Sequence, residues 1–133
     1  MTIEAAARRW AQTWSRAWPV KDTEAISALY ADGAAYRSHP FRAPKIGPSG
    51  AREYVAWAFA EEEHLTCWFG EPITCGSRAA VEWWAVFRSK GKDHTIAGTT
   101  VLRFSHDGKA SEHLDYWCTD EGRRLPPDGW SGA

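Results

Sequence analysis

The chain has 133 residues, which suits one domain able to bury a core without metals or disulfides. Its 16 basic and 17 acidic side chains give a net charge of −1 and are not segregated by sign, which excludes the clustered basic surface of a nucleic-acid-binding protein. No apolar run approaches the roughly 20 residues of a membrane span.

The N-terminus and the cysteines bear on the compartment. Residues 1–5 lack both the basic and the apolar segment of a signal peptide. Cys67, Cys75 and Cys118 are odd in number and have no metal-type spacing, so they predict free thiols. We therefore expect a cytoplasmic protein.

The tryptophan content is unusually high for a chain of this length. Nine tryptophans in a chain this short indicate either an aromatic core or an aromatic-lined cavity, because each indole is bulky and carries one donor that needs a partner. Composition alone leaves both alternatives open.

The first helix is predicted over residues 2–18. Thr2 is a suitable N-cap, and the helix must stop before Pro19. Trp10 and Trp14 recur at helical spacing and form one aromatic stripe, which favours either core packing or the wall of a pocket.

Shorter elements follow. Asp22 is the expected N-cap of a second helix that ends near Asp32-Gly33. Residues 34–38 read as a strand, and residues 39–50, rich in proline and glycine, as a loop. A third helix is predicted over 51–63, and its last three residues, all glutamates, are interpreted as a solvated or fraying end.

The second half of the chain is predicted to be β. Four strands are expected at 64–74, 78–89, 94–105 and 109–118, joined by short links that favour antiparallel hairpins. Helices followed by a run of strands indicate an α+β fold. Because the strands carry apolar residues on both faces, we expect a homodimer in which a second subunit covers the outer face.

The last strand has an unusual polar face. Strand alternation puts Ser111, His113, Asp115 and Trp117 together on one side. The pattern predicts either an acid–base pair in the wall of a cavity or a solvated face. The segment 119–133 has no periodicity and reads as a tail.

The order of these elements resembles the nuclear transport factor 2-like superfamily in its SnoaL-like branch. The resemblance rests on Leu29-Tyr-Ala-Asp-Gly-Ala-Ala-Tyr36, Gly50-Ala-Arg-Glu-Tyr54, Ala97-Gly-Thr-Thr-Val-Leu-Arg-Phe104 and Asp107-Gly-Lys-Ala-Ser-Glu-His-Leu-Asp-Tyr-Trp117. It implies a single domain over 1–118, with 119–133 as tail. The implied fold is an α+β roll, a cone-shaped curved antiparallel or mixed sheet wrapped around three N-terminal helices.

The superfamily includes steroid isomerases, epoxide hydrolases, dehydratases and polyketide cyclases, and also non-catalytic binding and assembly domains. Asp115-Tyr116 resembles the last-strand acid of the epoxide hydrolases. Glu82 stands where their arginine would be, and Trp84 where their other acid would be. These two replacements weaken the resemblance to the epoxide hydrolases of the superfamily.

The sequence therefore predicts a cofactor-free acid–base enzyme acting on a hydrophobic small molecule, with a non-catalytic binding domain as the alternative. Asp115 is the predicted base, because burial in an aromatic pocket raises a carboxyl pKa toward neutrality, and His113 and Glu82 are its predicted partners. The predicted substrate-binding residues are Trp14, Tyr30, Tyr36, His39, Tyr54, Trp57, Trp84, Thr100, Leu102 and Trp117. No ligand spacing for a metal and no cofactor motif is present, so neither is expected.

Overall fold

The computed structural model describes residues 1–132. Its helices are α1 (Ile3–Ala17), α2 (Thr23–Ser27) and α3 (Gly47–Phe59). Its strands are β1 (Tyr30–Arg37), β2 (Lys45–Ile46), β3 (Glu63–Phe69), β4 (Ile73–Cys75), β5 (Arg78–Ser89), β6 (Lys92–Phe104) and β7 (Ala110–Glu121), and a short 3₁₀ turn, Trp130–Gly132, closes the described chain. None of these helices is long and apolar enough to cross a membrane.

The seven strands form one curved, unclosed mixed sheet around the helices, so the predicted α+β fold is confirmed. The strand order is β2-β1-β7-β6-β5-β3, with β4 also paired to β5. Strand β1 runs parallel to β7, and every other pairing is antiparallel. The parallel pair joins the helical half of the chain to the last strand.

Helix α1 lies against the concave face of the sheet. The Thr2 side chain accepts a hydrogen bond from the Ala5 amide and starts the helix, as its sequence predicts. The aromatic stripe of α1, including Trp10 and Trp14, is almost completely buried and forms part of the main core cluster. The sheet therefore curves around tryptophan rather than around small aliphatic side chains.

Several predicted boundaries in the first half are wrong. Strand β1 already begins at Tyr30, and Gly33, with φ of +78°, sits in a bulge of this strand rather than at a helix end. The predicted loop contains the short strand β2, and α3 starts at Gly47 because Pro48 suits the first turn of a helix. Helix α3 ends at Phe59, before the three glutamates.

The predicted strand 64–74 is two strands. Strand β3 ends at Phe69, and Gly70-Glu71-Pro72 separates it from β4, since proline cannot donate to a central ladder. Strand β5 has the predicted bounds, whereas β7 continues three residues beyond the predicted end at Cys118.

The C-terminal tail lies across the outer face of the sheet. The Thr95 hydroxyl donates to the Gly122 carbonyl at 2.8 Å and accepts from the Arg124 amide at 2.9 Å. The Trp84 indole donates to the Arg124 carbonyl at 2.6 Å, and its ring meets Trp130 edge-on. Part of the apolar face that we assigned to a second subunit is thus covered by the chain itself.

Candidate active site

A cavity of about 580 Å³ lies between the helices and the concave face of the sheet. Strand β7 contributes His113, Asp115 and Trp117 to its wall, and β6 contributes Thr100. The rest of the wall is mainly aromatic, formed by Trp10, Trp14, Trp18, Tyr36, Tyr54, Trp57, Phe59, Phe69, Trp83 and Phe87. The cavity therefore suits a flat apolar ligand.

The strand register brings the polar groups together. Asp115 pairs with Thr100, which pairs with Val81, so the three side chains point to the same concave face. Leu102 pairs with His113, two residues away on each strand, and therefore points to the same face. The alternation predicted in β7 therefore turns His113 and Asp115 inward.

His113 and Asp115 form a close buried pair. His113 Nε2 lies 2.8 Å from Asp115 Oδ1, and the two side chains are 1% and 12% exposed. This contact meets the distance of an ion pair but not the alignment of a hydrogen bond, so Nε2 has no aligned partner within residues 1–132. A buried polar atom without an aligned partner is rare, and this one belongs to a side chain of the cavity wall, so it is a candidate contact for a ligand.

Tyr30 sets the tautomer of His113. The Tyr30 oxygen lies 3.1 Å from Trp10 Nε1 and 3.3 Å from Trp14 Nε1, and both indoles can only donate. With its lone pairs engaged, the hydroxyl donates to His113 Nδ1, 2.7 Å away. The neutral imidazole therefore carries its proton on Nε2, facing Asp115 and the cavity.

Thr100 holds Asp115 in the same manner. The Trp83 indole donates to Thr100 Oγ1 at 2.8 Å, and the Thr100 hydroxyl donates to Asp115 Oδ1 at 2.6 Å. Asp115 Oδ2 makes no hydrogen bond within residues 1–132 and is the carboxylate oxygen left for a ligand. Two hydrogen-bond chains, each starting at indole donors, thus converge on the His113–Asp115 pair.

Two tyrosines lie against the histidine, and burial keeps both hydroxyl groups protonated. The Tyr36 ring stacks on the His113 ring, with centroids 3.8 Å apart and planes at 18°. Burial, reinforced by the nearby Asp115 carboxylate, raises the pKa of Tyr36 well above its usual value. Burial also raises the pKa of Tyr30, against the effect of the two indole donors. Both hydroxyls therefore keep their protons across the physiological range.

Glu62 is a second carboxyl group of the cavity, and the sequence did not predict it. The Trp18 indole donates to Glu62 Oε1 at 2.9 Å. Burial raises the pKa of Glu62 to about 7, although the Trp18 hydrogen bond and Lys21 lower it. Its position just after α3, where the chain turns into β3, carries no sequence signal that separates it from solvated Glu61 and Glu63.

Most of the predicted binding residues line the cavity, but not all. Its wall contains Trp14, Tyr36, Tyr54, Trp57, Thr100 and Trp117, with Trp57 71% exposed at the rim. Tyr30 lies behind the wall and acts through His113, and Leu102 belongs to the core. His39 packs against Trp117 and Phe41 and is not part of the cavity wall.

Glu82 and Trp84 lie on the other face, so their predicted place beside Asp115 is wrong. Glu82 pairs with Thr99 and Trp84 with Ala97, one residue out of step with Thr100. Because side chains alternate, this one-residue step turns both to the outer face. The inward position belongs to Trp83 instead, so Glu82 does not take the place of a catalytic arginine in the cavity.

The sequence of the chain matches the model of the SnoaL-like domain over residues 7–113. The chain belongs to the SnoaL-like domain family. No curated protein sequence matches this SnoaL-like chain at a significant level. Within residues 1–132, no three His, Cys, Asp or Glu side chains come together in a group that could hold a metal ion.

Several solved structures share the fold of this chain. RV0760c from Mycobacterium tuberculosis superposes with a TM-score of 0.76 at 17% identity, covering 92% of this chain and all of that one. A ketosteroid isomerase-like protein from Catenulispora acidiphila, solved with trimethylamine, gives 0.69 at 20% identity, covering 79% and 82%. The epoxide hydrolase/cyclase-like enzyme SalBIII of salinomycin pyran ring formation gives 0.72 at 18% identity, covering 86% and 91%. At these identities the likeness shows the fold.

Proposed function

We propose that this SnoaL-like protein binds a hydrophobic small molecule in its cavity and carries out cofactor-free acid–base chemistry on it. The observation that carries the proposal is the His113–Asp115 pair, in which a buried Nε2–H without an aligned acceptor lies beside a carboxylate with one free oxygen. A donor and a base at one point of an apolar wall are what proton transfer next to a polarised oxygen requires.

The roles follow from the geometry. His113 Nε2–H donates to a carbonyl or hydroxyl oxygen of the substrate, and Asp115 Oδ2 takes a proton from a neighbouring carbon. The hydrogen bond from His113 strengthens as negative charge develops on that oxygen, because the site is buried among aromatic rings. Isomerisation, dehydration and cyclisation all contain such a step.

Two of the three named neighbours have descriptions that suit a fold that takes small molecules. SalBIII is described as epoxide hydrolase/cyclase-like, and the Catenulispora protein holds trimethylamine. These descriptions belong to those proteins. For this chain they support a search among cyclic ketones, enones and phenols rather than among polymers.

The test begins with a thermal-shift screen of such compounds, followed by NMR of each hit in deuterium oxide. Wild type is expected to exchange the acidic C–H protons of a bound ketone, and Asp115→Asn to lose this exchange while still binding. Glu112→Gln is the matched control, because Glu112 lies on the same strand but pairs with Arg103 on the outside. Binding without exchange in wild type would support the non-catalytic alternative and overturn the acid–base step.

A homodimer through the outer face of the sheet stays a prediction. Less of the apolar face is left for a second subunit, because the tail covers part of it. Sedimentation velocity at micromolar concentration tests it, and a monomer there would remove it.

A further inference from the structure

One end of the cavity combines aromatic rings with a carboxylate. Trp18 stacks on Phe59 with centroids 5.9 Å apart and meets Trp83 edge-on at 5.8 Å. We call these three rings, each almost fully buried and lining the cavity, the aromatic wall. Glu62 is tied to this wall through the Trp18 indole, which donates to Oε1 and leaves Oε2 without a hydrogen bond within residues 1–132.

The charges around the cavity are mainly negative. Glu61, Glu62 and Asp115 line it, whereas Arg42 is the single arginine or lysine of its lining among the described residues. The Arg42 guanidinium lies over Trp117, 5.9 Å from the ring centroid, and its Nη1 donates to Ser38 Oγ. Arg42 is therefore engaged at Trp117 and Ser38, and within residues 1–132 no lysine, arginine or histidine side chain forms a salt bridge with Glu62.

Burying an ionised carboxylate without a cationic partner costs free energy, and the faces of aromatic rings attract positive charge. We propose that the cavity seats a cationic nitrogen, as in a protonated or quaternary amine, between the Glu62 carboxylate and the aromatic wall. The proposal rests on the proposed function only in that the cavity must admit a small molecule. It does not require proton transfer at Asp115.

Few charged or titratable groups lie near Glu62. Lys21, in the turn after α1, lowers its pKa, and Cys67 on β3 is close enough for Glu62 to raise the pKa of that thiol. Glu61 pairs with Lys90 at 3.5 Å. The remaining charged or titratable groups that line the same cavity are Tyr36, Arg42, Tyr54, His113 and Asp115.

The affinity for a cationic ligand should depend on pH through the ionisation of Glu62. The pKa of Glu62 is raised to about 7, so the group is mostly neutral in the free protein below that pH and mostly ionised above it. A permanently charged ligand binds the ionised form, so its affinity rises with pH through this range and then levels off. A neutral ligand of the same shape gains nothing from that ionisation.

The experiment compares benzyltrimethylammonium with neopentylbenzene, its neutral isostere, by quenching of tryptophan fluorescence. At about pH 8 the cation is expected to bind wild type at least roughly tenfold more tightly than the isostere, and to lose about tenfold in affinity by about pH 5.5. Glu62→Gln retains an acceptor for Trp18 and is expected to remove both the preference and the pH dependence.

Glu61→Gln is the matched control, because Glu61 also lines the cavity but pairs with Lys90, and it should bind the cation as wild type does. If Glu62→Gln does not fold, the isostere comparison and the pH dependence in wild type decide. Equal or tighter binding of the isostere overturns the cationic subsite and leaves the proposed function standing. Binding of neither probe also overturns the cationic subsite, whereas the ketone exchange experiment decides the proposed function.

Discussion

The Thr100 hydroxyl donates to Asp115 Oδ1 across 2.6 Å while accepting from the Trp83 indole. Thr100→Val has the same shape but leaves a buried indole N–H without a partner, so it should lower the free energy of unfolding by about 1–3 kcal/mol. Urea denaturation measures this. Thr100→Ser keeps the hydroxyl and should retain most of the stability; if both variants lose equally, packing rather than the hydrogen bond is responsible.

Tyr30→Phe removes the group that sets the tautomer of His113. Two buried indole donors and His113 Nδ1 then lack partners, and each unsatisfied group costs about 1–3 kcal/mol. In wild type, ¹⁵N NMR of His113 should show the proton on Nε2, and in the variant a mixture of tautomers. Tyr36→Phe keeps the ring stacked on His113 and serves as control. An Nδ1–H tautomer in wild type would contradict the assignment.

Glu62 should make the protein less stable as the pH rises. Its pKa is about 7 in the folded state against an ordinary 4.5, so the folded state binds the proton more tightly. Its contribution is present below pH 4.5 and is lost as the pH rises to about 7, by about 2–3 kcal/mol. Urea denaturation of wild type and Glu62→Gln across this range isolates the contribution, and parallel curves would refute it.

The three cysteines should react at different rates. Cys75 and Cys118 are exposed, whereas burial, with Glu62 nearby, raises the pKa of the Cys67 thiol to about 12. Because the thiolate is the nucleophile, Cys67 should react with a disulfide reagent at least roughly tenfold more slowly than Cys75 and Cys118. Mass spectrometry of timed aliquots identifies each site, and all three should react alike in denaturant. Fast labelling of Cys67 in the native protein would argue against its burial.

Removal of the tail after Glu121 should expose part of the outer face of the sheet. The chain then loses the bonds that Trp84 and Thr95 make to Gly122 and Arg124, at a cost of about 1–3 kcal/mol, and should self-associate more than the full chain at equal concentration. Arg124→Ala keeps the backbone groups that make these bonds and should behave like wild type. Unchanged stability and sedimentation after truncation would show that the tail adds nothing.

Local patterns predicted much of the fold. The α+β order and the bounds of β5 follow from hydrophobic periodicity and turn residues. Strand alternation also put His113 and Asp115 on one face, but it left open whether that face lines a cavity or is solvated. The residues on the concave face of β5 could not be predicted in this way, because both faces of this strand are apolar. Only its register with β6 decides between Trp83 and Trp84. Glu62 was missed because nothing local shows that the chain turns inward after α3.

The indole donors on which the two hydrogen-bond chains end have a consequence for where protons can travel. An indole N–H gives a hydrogen bond but cannot accept one, so neither chain can pass a proton outward through the protein. A proton taken up by Asp115 can therefore leave only by way of the cavity. The deuterium that replaces it in the exchange experiment must enter by the same route, so the cavity, and not the two hydrogen-bond chains, connects this acid–base pair with bulk water.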